Sequence, residues 1–449
     1  MSEFTDLFSQ KISENEEDIS SRIEQGINTE ISEKLEEYFE DRYVELEPSE
    51  IEEDFNVVAS DAGRNQIAFK NNINLFVIRA AAKDNHDNKS RELFTGIVRP
   101  YRQRSYKDFS DRSSEIVELE SILDRLDDLD LSKRTYVLID GSLLTRMLVV
   151  PTELRMSDYR DRKLDLIDKF YELLQKSREE ENLVVAGISK DSNTDILYTT
   201  LTAQLIEEEL DKMDLPKESI ARIKDEFRQI KYDPTAVRQM LFEIEDEHGV
   251  NLDEVRELLE YYRDTYSDSA LIESLKDEPG LTQPVEVGRV SAKFRSHTDD
   301  IEEDMQKYLD SNFGHTLEDH DNSEAYRKEL QRSLEKLFEY PTITTSYWVP
   351  EENAQPIRID MFSDYWNEGG KLTEFEGTRF LERNDIMDEL LELLKTGYGG
   401  ETMHNVWISQ ADNSASLTQS QIQRVYSPIL SKQLGINLRQ YMRRRDKRA

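Results

Sequence analysis

The chain contains no cysteine among its 449 residues. This absence excludes disulfide bonds, thiolate metal sites and a cysteine nucleophile. The six histidines form no His-Glu-x-x-His spacing, and no Gly-x-x-x-x-Gly-Lys-Ser/Thr loop occurs, so the sequence predicts neither a zinc site of that type nor ATP hydrolysis. There is no signal peptide and no run of about 18 apolar residues, so we expect a soluble, cytoplasmic protein without a membrane span.

Positive charge is also scarce, because 95 acidic residues outnumber 58 lysines and arginines and leave a net charge of −37. An acidic excess spread along the whole chain keeps a protein hydrated in concentrated salt, and it predicts a halophilic, haloarchaeal-like protein. An acidic interaction protein is the alternative. DNA is a polyanion, but molar salt screens surface charge within about 3 Å, so DNA remains a possible partner.

Two short apolar runs end in aspartate about eighty positions apart. The first is Asn56-Val57-Val58-Ala59-Ser60-Asp61-Ala62-Gly63-Arg64, and the second is Thr135-Tyr136-Val137-Leu138-Ile139-Asp140-Gly141-Ser142-Leu143-Leu144. Each pattern predicts a buried strand with an acidic residue at its exit. Two such exits at one sheet edge place two carboxylates side by side, where a divalent cation relieves their repulsion and phosphodiester cleavage becomes feasible. The alternative is that both are ordinary Asp-Gly turns.

The remaining periodicity predicts an α/β protein. Strands are expected at 57–59, 67–69, 74–80, 135–140, 183–189, 284–290, 342–349 and 356–362, with turns at Gly63 and Asn71-Asn72. Helices are expected over 1–50, 110–129, 158–178, 203–275, 384–396 and from about 418. Three antiparallel strands, a helix, a strand, a helix and a strand are the order of a ribonuclease-H-like mixed sheet flanked by helices. In that order the first and fourth strands are parallel neighbours, so Asp61 and Asp140 should meet.

The helix before the second aspartate strand offers a third acidic ligand among Glu115, Glu118 and Glu120. Its apolar stripe leaves Glu120 on the shoulder facing the core, whereas Glu118 should point further toward solvent. We therefore favour Glu120, with Glu118 second. Lys190 follows the strand 183–189 and is either a contact to the scissile phosphate or an ordinary exposed lysine, and Arg64 has the same two interpretations.

The predicted organisation has five parts. They are a helical arm (1–50), the first part of a core (51–202), an acidic helical insertion (203–278), the second part of the core (279–435) and a basic tail (436–449). The tail contains Arg439, Arg443, Arg444, Arg445, Lys447 and Arg448. It is either a contact for DNA or an acidic surface, or a solvated end.

Three of these segments together resemble one family. Ser60-Asp61-Ala62-Gly63-Arg64 is similar to its "Val-Asp-Gly-Ser-Arg" signature, and Leu138-Ile139-Asp140-Gly141-Ser142-Leu143 resembles its "Leu-Asp-Gly-Ser-Leu". Ala186-Gly187-Ile188-Ser189-Lys190 resembles its "Ile-Ser-Lys". The family is NurA, a nuclease that works with the HerA helicase, and the likeness covers about 50–200 and 280–430.

The resemblance implies a ribonuclease-H-like fold, a homodimeric ring, and Mn²⁺- or Mg²⁺-dependent cleavage of DNA by exonuclease and possibly endonuclease action. In the implied two-metal mechanism Asp61 and Asp140 flank the ions and Glu120 completes one shell. The family has histidine where this chain has Asp412. Alternatively, Tyr398 and His404 supply the family's tyrosine and histidine at another spacing. Position 62 is alanine where glycine is usual.

The predicted function is therefore that of a nuclease acting with a HerA-type hexameric ATPase in DNA repair and end resection. The alternative is a catalytically weakened adaptor that binds the ATPase without cutting DNA. Cleavage polarity, strand preference and the choice between repair and antiviral defence do not follow from the sequence.

Overall fold

The computed structural model describes residues 2–16, 33–46, 54–71, 73–99, 103–190, 192–264, 267–276 and 278–442. The predicted N-terminal arm contains the helices α1 (Ser2–Glu14) and α2 (Glu33–Glu40), but the prediction of helix was wrong at Tyr43–Glu45, which form a strand. Phe39 of α2 is fully buried, whereas Phe4 of α1 is 81% exposed, so only the second helix packs on the core. The predicted helix over 17–32 and the basic tail from Arg443 onward lie outside the described residues.

Eleven strands of the described ranges form one mixed sheet. They are β1 (Tyr43–Glu45), β2 (Asn56–Ala68), β3 (Asn74–Asp84), β4 (Lys89–Val98), β5 (Thr135–Asp140), β6 (Leu183–Ser189), β7 (Gly280–Thr282), β8 (Val285–Val287), β9 (Ile343–Val349), β10 (Ile357–Phe362) and β11 (Thr378–Phe380). Across the sheet the order is β1-β7-β9-β10-β6-β5-β2-β3-β4, and β8 joins β9 and β11. β5 runs parallel to both β2 and β6, and the other pairs are antiparallel.

Helices flank this sheet. They are α3 (Gln103–Asp127), α4 (Leu143–Met147), α5 (Arg162–Glu179), α6 (Ile196–Asp211), α7 (Lys217–Glu226), α8 (Pro234–His248), α9 (Asp253–Asp264), α10 (Asp268–Leu275), α11 (Ala292–Asn312), α12 (Gly314–Glu318), α13 (Ser323–Lys336), α14 (Asp385–Gly397), α15 (Val406–Ala415), α16 (Gln419–Gln421) and α17 (Ser427–Leu434). The acidic segment is helical as expected, and its prolines stand where α7 and α8 begin. None of the described helices is both long and apolar enough to cross a lipid bilayer.

The two faces of the sheet carry separate cores. Val137 and Val185 pack with residues of α3 and α5 on one face, and Leu138 and Val184 pack with residues of α14 and α15 on the other. Because both faces are covered, β5 and β6 are buried along their whole length except at their last residues. Asp140 is therefore the point at which β5 leaves the core.

One strand prediction was wrong, although the predicted neighbours are confirmed. Gly63 makes no turn, because β2 continues through it and pairs Gly63 with Arg79 of β3. The third antiparallel strand is instead β4, whose alternating exposed and half-buried residues gave too weak an apolar signal. The three antiparallel strands β2, β3 and β4 directly precede α3, and Ser60 of β2 lies opposite Ile139 of β5 in a parallel pair.

Candidate active site

Asp61 and Asp140 are brought together by the parallel pairing of β2 and β5. Ser60 is opposite Ile139, so the next residue on each strand is an aspartate at the same level. Side chains alternate along a strand, and Ala59 and Leu138 both face the core of α14 and α15. The two carboxylates therefore project to the same face of the sheet at the place where the β5 ladder ends.

A cavity of about 300 Å³ opens at this place. Acids and arginines make up most of its lining, which consists of Asp61, Ala62, Arg64, Asp111, Arg112, Ser114, Glu115, Glu118, Asp140 and Arg146. The arginines partly neutralise the acids, since Arg112 pairs with Glu115 at 2.9 Å and Arg64 pairs with Asp111. The cavity is thus a small, highly charged space whose lining includes both aspartates.

Asp61 carries the electrostatic signature of a crowded acidic site. Burial is the main cause that raises its pKa to about 6, and the nearby Asp140 and Asp412 carboxylates raise it further, against a hydrogen bond from the Ala62 amide. Asp412 belongs to α15, and its carboxylate lies at hydrogen-bonding range of Asp61. The structure therefore brings three of the sequence-predicted acids, Asp61, Asp140 and Asp412, to one place.

The C-terminal end of α15 is held at this place by two residues of the sheet, Arg79 and Gly63. Arg79 of β3 donates from Nε to the Ala415 carbonyl at 2.8 Å and from Nη2 to the Ser416 carbonyl. Gly63 has no side chain, and a Cβ there would lie 2.1 Å from the Ala415 carbonyl oxygen. Gly63, two residues after Asp61, therefore allows the close approach that puts Asp412 over the strand.

No helix was predicted over Val406–Ala415, since its polar composition masks a short apolar face. Asn405 caps it by accepting hydrogen bonds from the Trp407 and Ile408 amides at 3.0 and 3.1 Å. Ile408, Ala411 and Ala415, spaced by three and four residues, are buried against the sheet. The cap and this face hold the helix in place, with Asp412 beside the buried row.

The expectation that Glu118 points toward solvent was wrong. Glu118 is only 4% exposed and lines the cavity, whereas Glu120 is half-buried and does not. The apolar stripe misled the prediction because the fully buried Ser113 and Ser121 extend the sheet-facing side of α3 around to Glu118. Small polar residues can line a closely packed helix face, and a stripe drawn from apolar residues alone misses them.

Glu118 is tied to both aspartate strands. The Ser60 hydroxyl donates to one of its oxygens at 3.0 Å, and Arg146 donates to the other at 2.8 Å. Arg146 also donates to the Asp140 carbonyl at 3.0 Å. Burial raises the pKa of Glu118 to about 7, Arg146 opposes this, and Asp61 adds to it. Glu118 can therefore hold or release a proton near neutral pH beside Asp61.

Three further predicted residues stand apart from the cavity lining. Lys190 is exposed just beyond β6. The Tyr398 hydroxyl donates to Glu351 at 2.9 Å, and its ring packs edge-on against Trp348 of β9, three strands from β5. His404 is buried just before α15, eight residues from Asp412. Of the two alternatives for the C-terminal motif, the structure places Asp412, and not the pair of Tyr398 and His404, at Asp61.

The sequence interpretation missed Arg146 and the approach of Glu115 to the cavity. Asp111, Glu115 and Glu118 recur at four- and three-residue steps, which places all three on one face of α3. Burial raises the pKa of Glu115, and the guanidinium groups of Arg146 and Arg112 oppose that rise. The acid spacing was visible in the sequence, but it signals a site only when the facing strand is known.

The donors fit a hard divalent cation. Within the described ranges no cluster of three or more histidine or acidic side chains forms a ready metal cage. Mg²⁺-type ions are commonly held by one or two carboxylates and keep several waters, so the Asp61 and Asp140 pair suffices. Burial first, and then the negative charges of Asp140 and Asp412, raise the pKa of Asp61, and a bound cation would favour its ionised form.

Comparisons with known proteins agree with this architecture. The family described as NurA domain matches residues 55–415, and no curated protein matches the chain in sequence. The NurA nuclease from Sulfolobus solfataricus aligns over 97% of this chain and 98% of its own, at 12% identity and a TM-score of 0.50, which shows a shared fold. A NurA structure with manganese covers 92% of this chain and 98% of its own (13% identity, TM-score 0.36). A NurA structure bound to dAMP and manganese covers 95% of this chain and 96% of its own, at 12% identity and a TM-score of 0.32.

Proposed function

Since this chain belongs to the NurA family, we propose that it is a metal-dependent deoxyribonuclease that hydrolyses phosphodiester bonds. The observation that carries the proposal is the pairing of β2 with β5, which sets Asp61 beside Asp140, with Asp412 against Asp61. The oxygen donors suit Mn²⁺ or Mg²⁺, and manganese is named in solved members of the family.

We interpret the sheet as ribonuclease-H-like. Three antiparallel strands, β2 to β4, precede α3, and the parallel strands β5 and β6 follow on the other side of β2. This arrangement supports an active site at the adjacent strands β2 and β5, which carry Asp61 and Asp140.

In this proposal Asp61 and Asp140 hold the metal, and Glu118 takes the role expected of Glu120. A bound Mn²⁺ or Mg²⁺ supplies an activated water and offsets charge on the leaving oxygen. Arg146 fixes Glu118 against the end of β5, and Asp412 adds a further carboxylate beside Asp61. Lys190, exposed after β6, contacts the DNA backbone as a point charge.

The partner ATPase and the salt conditions that we propose for this activity follow from features of the sequence. The chain lacks a phosphate-binding Gly-Lys-Ser/Thr loop, so movement along DNA requires a separate motor, for which we propose a HerA-type hexameric ATPase. The net charge of −37 favours work in concentrated salt. We propose a cytoplasmic homodimer that processes DNA ends by exonuclease action, and by endonuclease action where no end is present.

The test is cleavage of linear DNA with Mn²⁺ at high salt by the wild type and by Asp140→Ala. The matched control is Asp225→Ala, which removes an exposed acid of α7. We expect the wild type and the control to cut alike and Asp140→Ala to lose at least a hundredfold in rate, since loss of a metal ligand removes the activated water.

The same experiment separates the alternatives. Equal cutting by Asp140→Ala would refute the assignment of the site. A folded wild type that binds the ATPase but leaves DNA intact would support the adaptor function instead of the nuclease function.

A further inference from the structure

The turn after Asp140 crosses directly over the neighbouring strand. Gly141 has a φ of +101°, and its amide donates to the Ile188 carbonyl of β6 at 2.9 Å. Gly187 of β6 lies beneath the turn, and a Cβ there would come 2.6 Å from the Gly141 carbonyl oxygen and 3.0 Å from the Leu143 amide nitrogen. A bare backbone at Gly187 therefore lets the chain pass over β6 toward β10.

On the far side of β6 the turn meets a buried carboxylate. Asp360 of β10 is 0% exposed and lies opposite Gly187 in the sheet. One of its oxygens accepts from the Ser142 hydroxyl at 2.7 Å and from the Leu144 amide at 3.3 Å. Ser142 also caps α4 by accepting from the Thr145 amide at 3.2 Å. The residue two positions after Asp140 is thus fixed to a strand two places away.

Asp360 is itself held rigidly. Arg358 donates to it from Nε at 2.7 Å and from Nη2 at 3.1 Å, and the Thr345 hydroxyl donates at 2.8 Å. Arg358 is 1% exposed. A buried ion pair whose remaining sites are filled by hydrogen bonds loses much if either partner moves, so it is a firm anchor.

We propose that Asp360, acting through Ser142, is a positioning residue that sets the orientation of the Asp140 carboxylate for metal binding. Asp140 is the last residue of β5, and the permissive Gly141 follows it, so the ladder alone does not fix its side chain. The hydrogen bond from Ser142 to Asp360 restricts the backbone on the C-terminal side of Asp140. The inference rests on the proposed function and assigns a role to the buried Arg358–Asp360 pair.

The test compares Ser142→Ala, Ser142→Thr and Asp360→Asn with the wild type. Ser291→Ala is the matched control, because Ser291 caps α11 through the Phe294 amide and does not contact the turn. Three quantities are measured: hydrogen exchange of the peptide spanning 139–147, Mn²⁺ affinity by calorimetry, and kcat with KM.

For Ser142→Ala we expect about tenfold faster exchange in that peptide, about tenfold weaker Mn²⁺ binding, and a tenfold or greater loss of kcat with KM nearly unchanged. Ser142→Thr keeps the hydroxyl and should restore all three. The control should leave all three unchanged. If Asp360→Asn folds, it should show the same changes in exchange, Mn²⁺ affinity and kcat as Ser142→Ala. If Asp360→Asn does not fold, the result for Ser142→Ala alone decides.

Unchanged exchange of the 139–147 peptide in folded Ser142→Ala overturns the proposal, whether or not the protein cuts DNA. Faster exchange combined with Mn²⁺ affinity and kcat equal to those of the wild type also overturns the proposal, since the turn after Asp140 would then not determine the orientation of the Asp140 carboxylate. A wild type that neither binds Mn²⁺ nor cuts DNA refutes the proposed function instead, and the exchange result remains readable.

Discussion

Replacing Gly63 by alanine should damage the site without touching a charged group. A Cβ at this position would stand 2.1 Å from the Ala415 carbonyl oxygen, 2.8 Å from its carbonyl carbon and 2.9 Å from the Leu417 nitrogen. Ordinary contacts begin near 3.4 Å, so the end of α15 must retreat by about 1.3 Å. The opposing atoms are backbone, which a side-chain rotation cannot relieve.

The expected cost has two parts. Overpacking of this kind lowers the free energy of unfolding by about 1–3 kcal/mol. The same retreat carries Asp412 away from Asp61, and a shift of about 1 Å at a reacting centre reduces the rate by as much as 10²-fold. Urea unfolding measures the first part, and single-turnover cleavage of linear DNA with Mn²⁺ measures the second.

Gly314→Ala is the matched control. Gly314 begins α12, and a Cβ there would meet nothing within 4 Å. That substitution should leave stability unchanged or raise it by up to about 1 kcal/mol, and leave cleavage unchanged. If Gly63→Ala unfolds at the wild-type urea concentration and cuts at the wild-type rate, the close approach of α15 does not hold the site.

Two further predictions follow from burial. Glu118→Gln should lower cleavage at least tenfold while Glu120→Gln stays within twofold of the wild type, because only Glu118 lines the cavity; equal rates for the two variants would contradict the placement. Burial raises the pKa of Asp268 from 3.8 to about 6, so folding favours its protonated form, and this contribution to stability is lost as the pH rises from about 4 to about 6. From pH 4 to 7 the free energy of unfolding of the wild type, measured relative to Asp268→Asn by chemical denaturation, should fall by about 2 kcal/mol. A difference that is flat with pH would refute the assignment.

The sequence predicted the parts of the site that depend on strand order. Asp61 and Asp140 each close an apolar run, and the parallel neighbourhood of those runs follows from the order of elements. Gly63 was misread because a glycine between two apolar runs is typical of a turn. Gly63 instead leaves room for the end of α15, a helix that lies more than 340 positions later in the chain. The local sequence contains no sign of that contact.

Glu118 shows a second limit. The choice between Glu118 and Glu120 depended on which side of α3 faces the sheet, and buried serines shift that side. The anchor at Asp360 of β10 was equally hidden, since its partner Ser142 lies in the turn after β5 and its partner Thr345 lies on β9. Patterns within one element predict what that element buries, whereas contacts between elements depend on the packed structure.

The parallel pairing of β2 with β5 also has a kinetic consequence. Asn56 and Thr135 touch through side chains although 79 positions separate them in the chain. Such a contact closes a long loop, whose entropy must be lost before the pair contributes stability, and topologies rich in these contacts fold slowly. The segment that separates the two aspartates along the chain forms β3, β4 and α3, and the loop through it must close before the carboxylates can meet. Competence to bind metal should therefore appear late in refolding, and Mn²⁺ binding after dilution from urea would report the completion of the sheet.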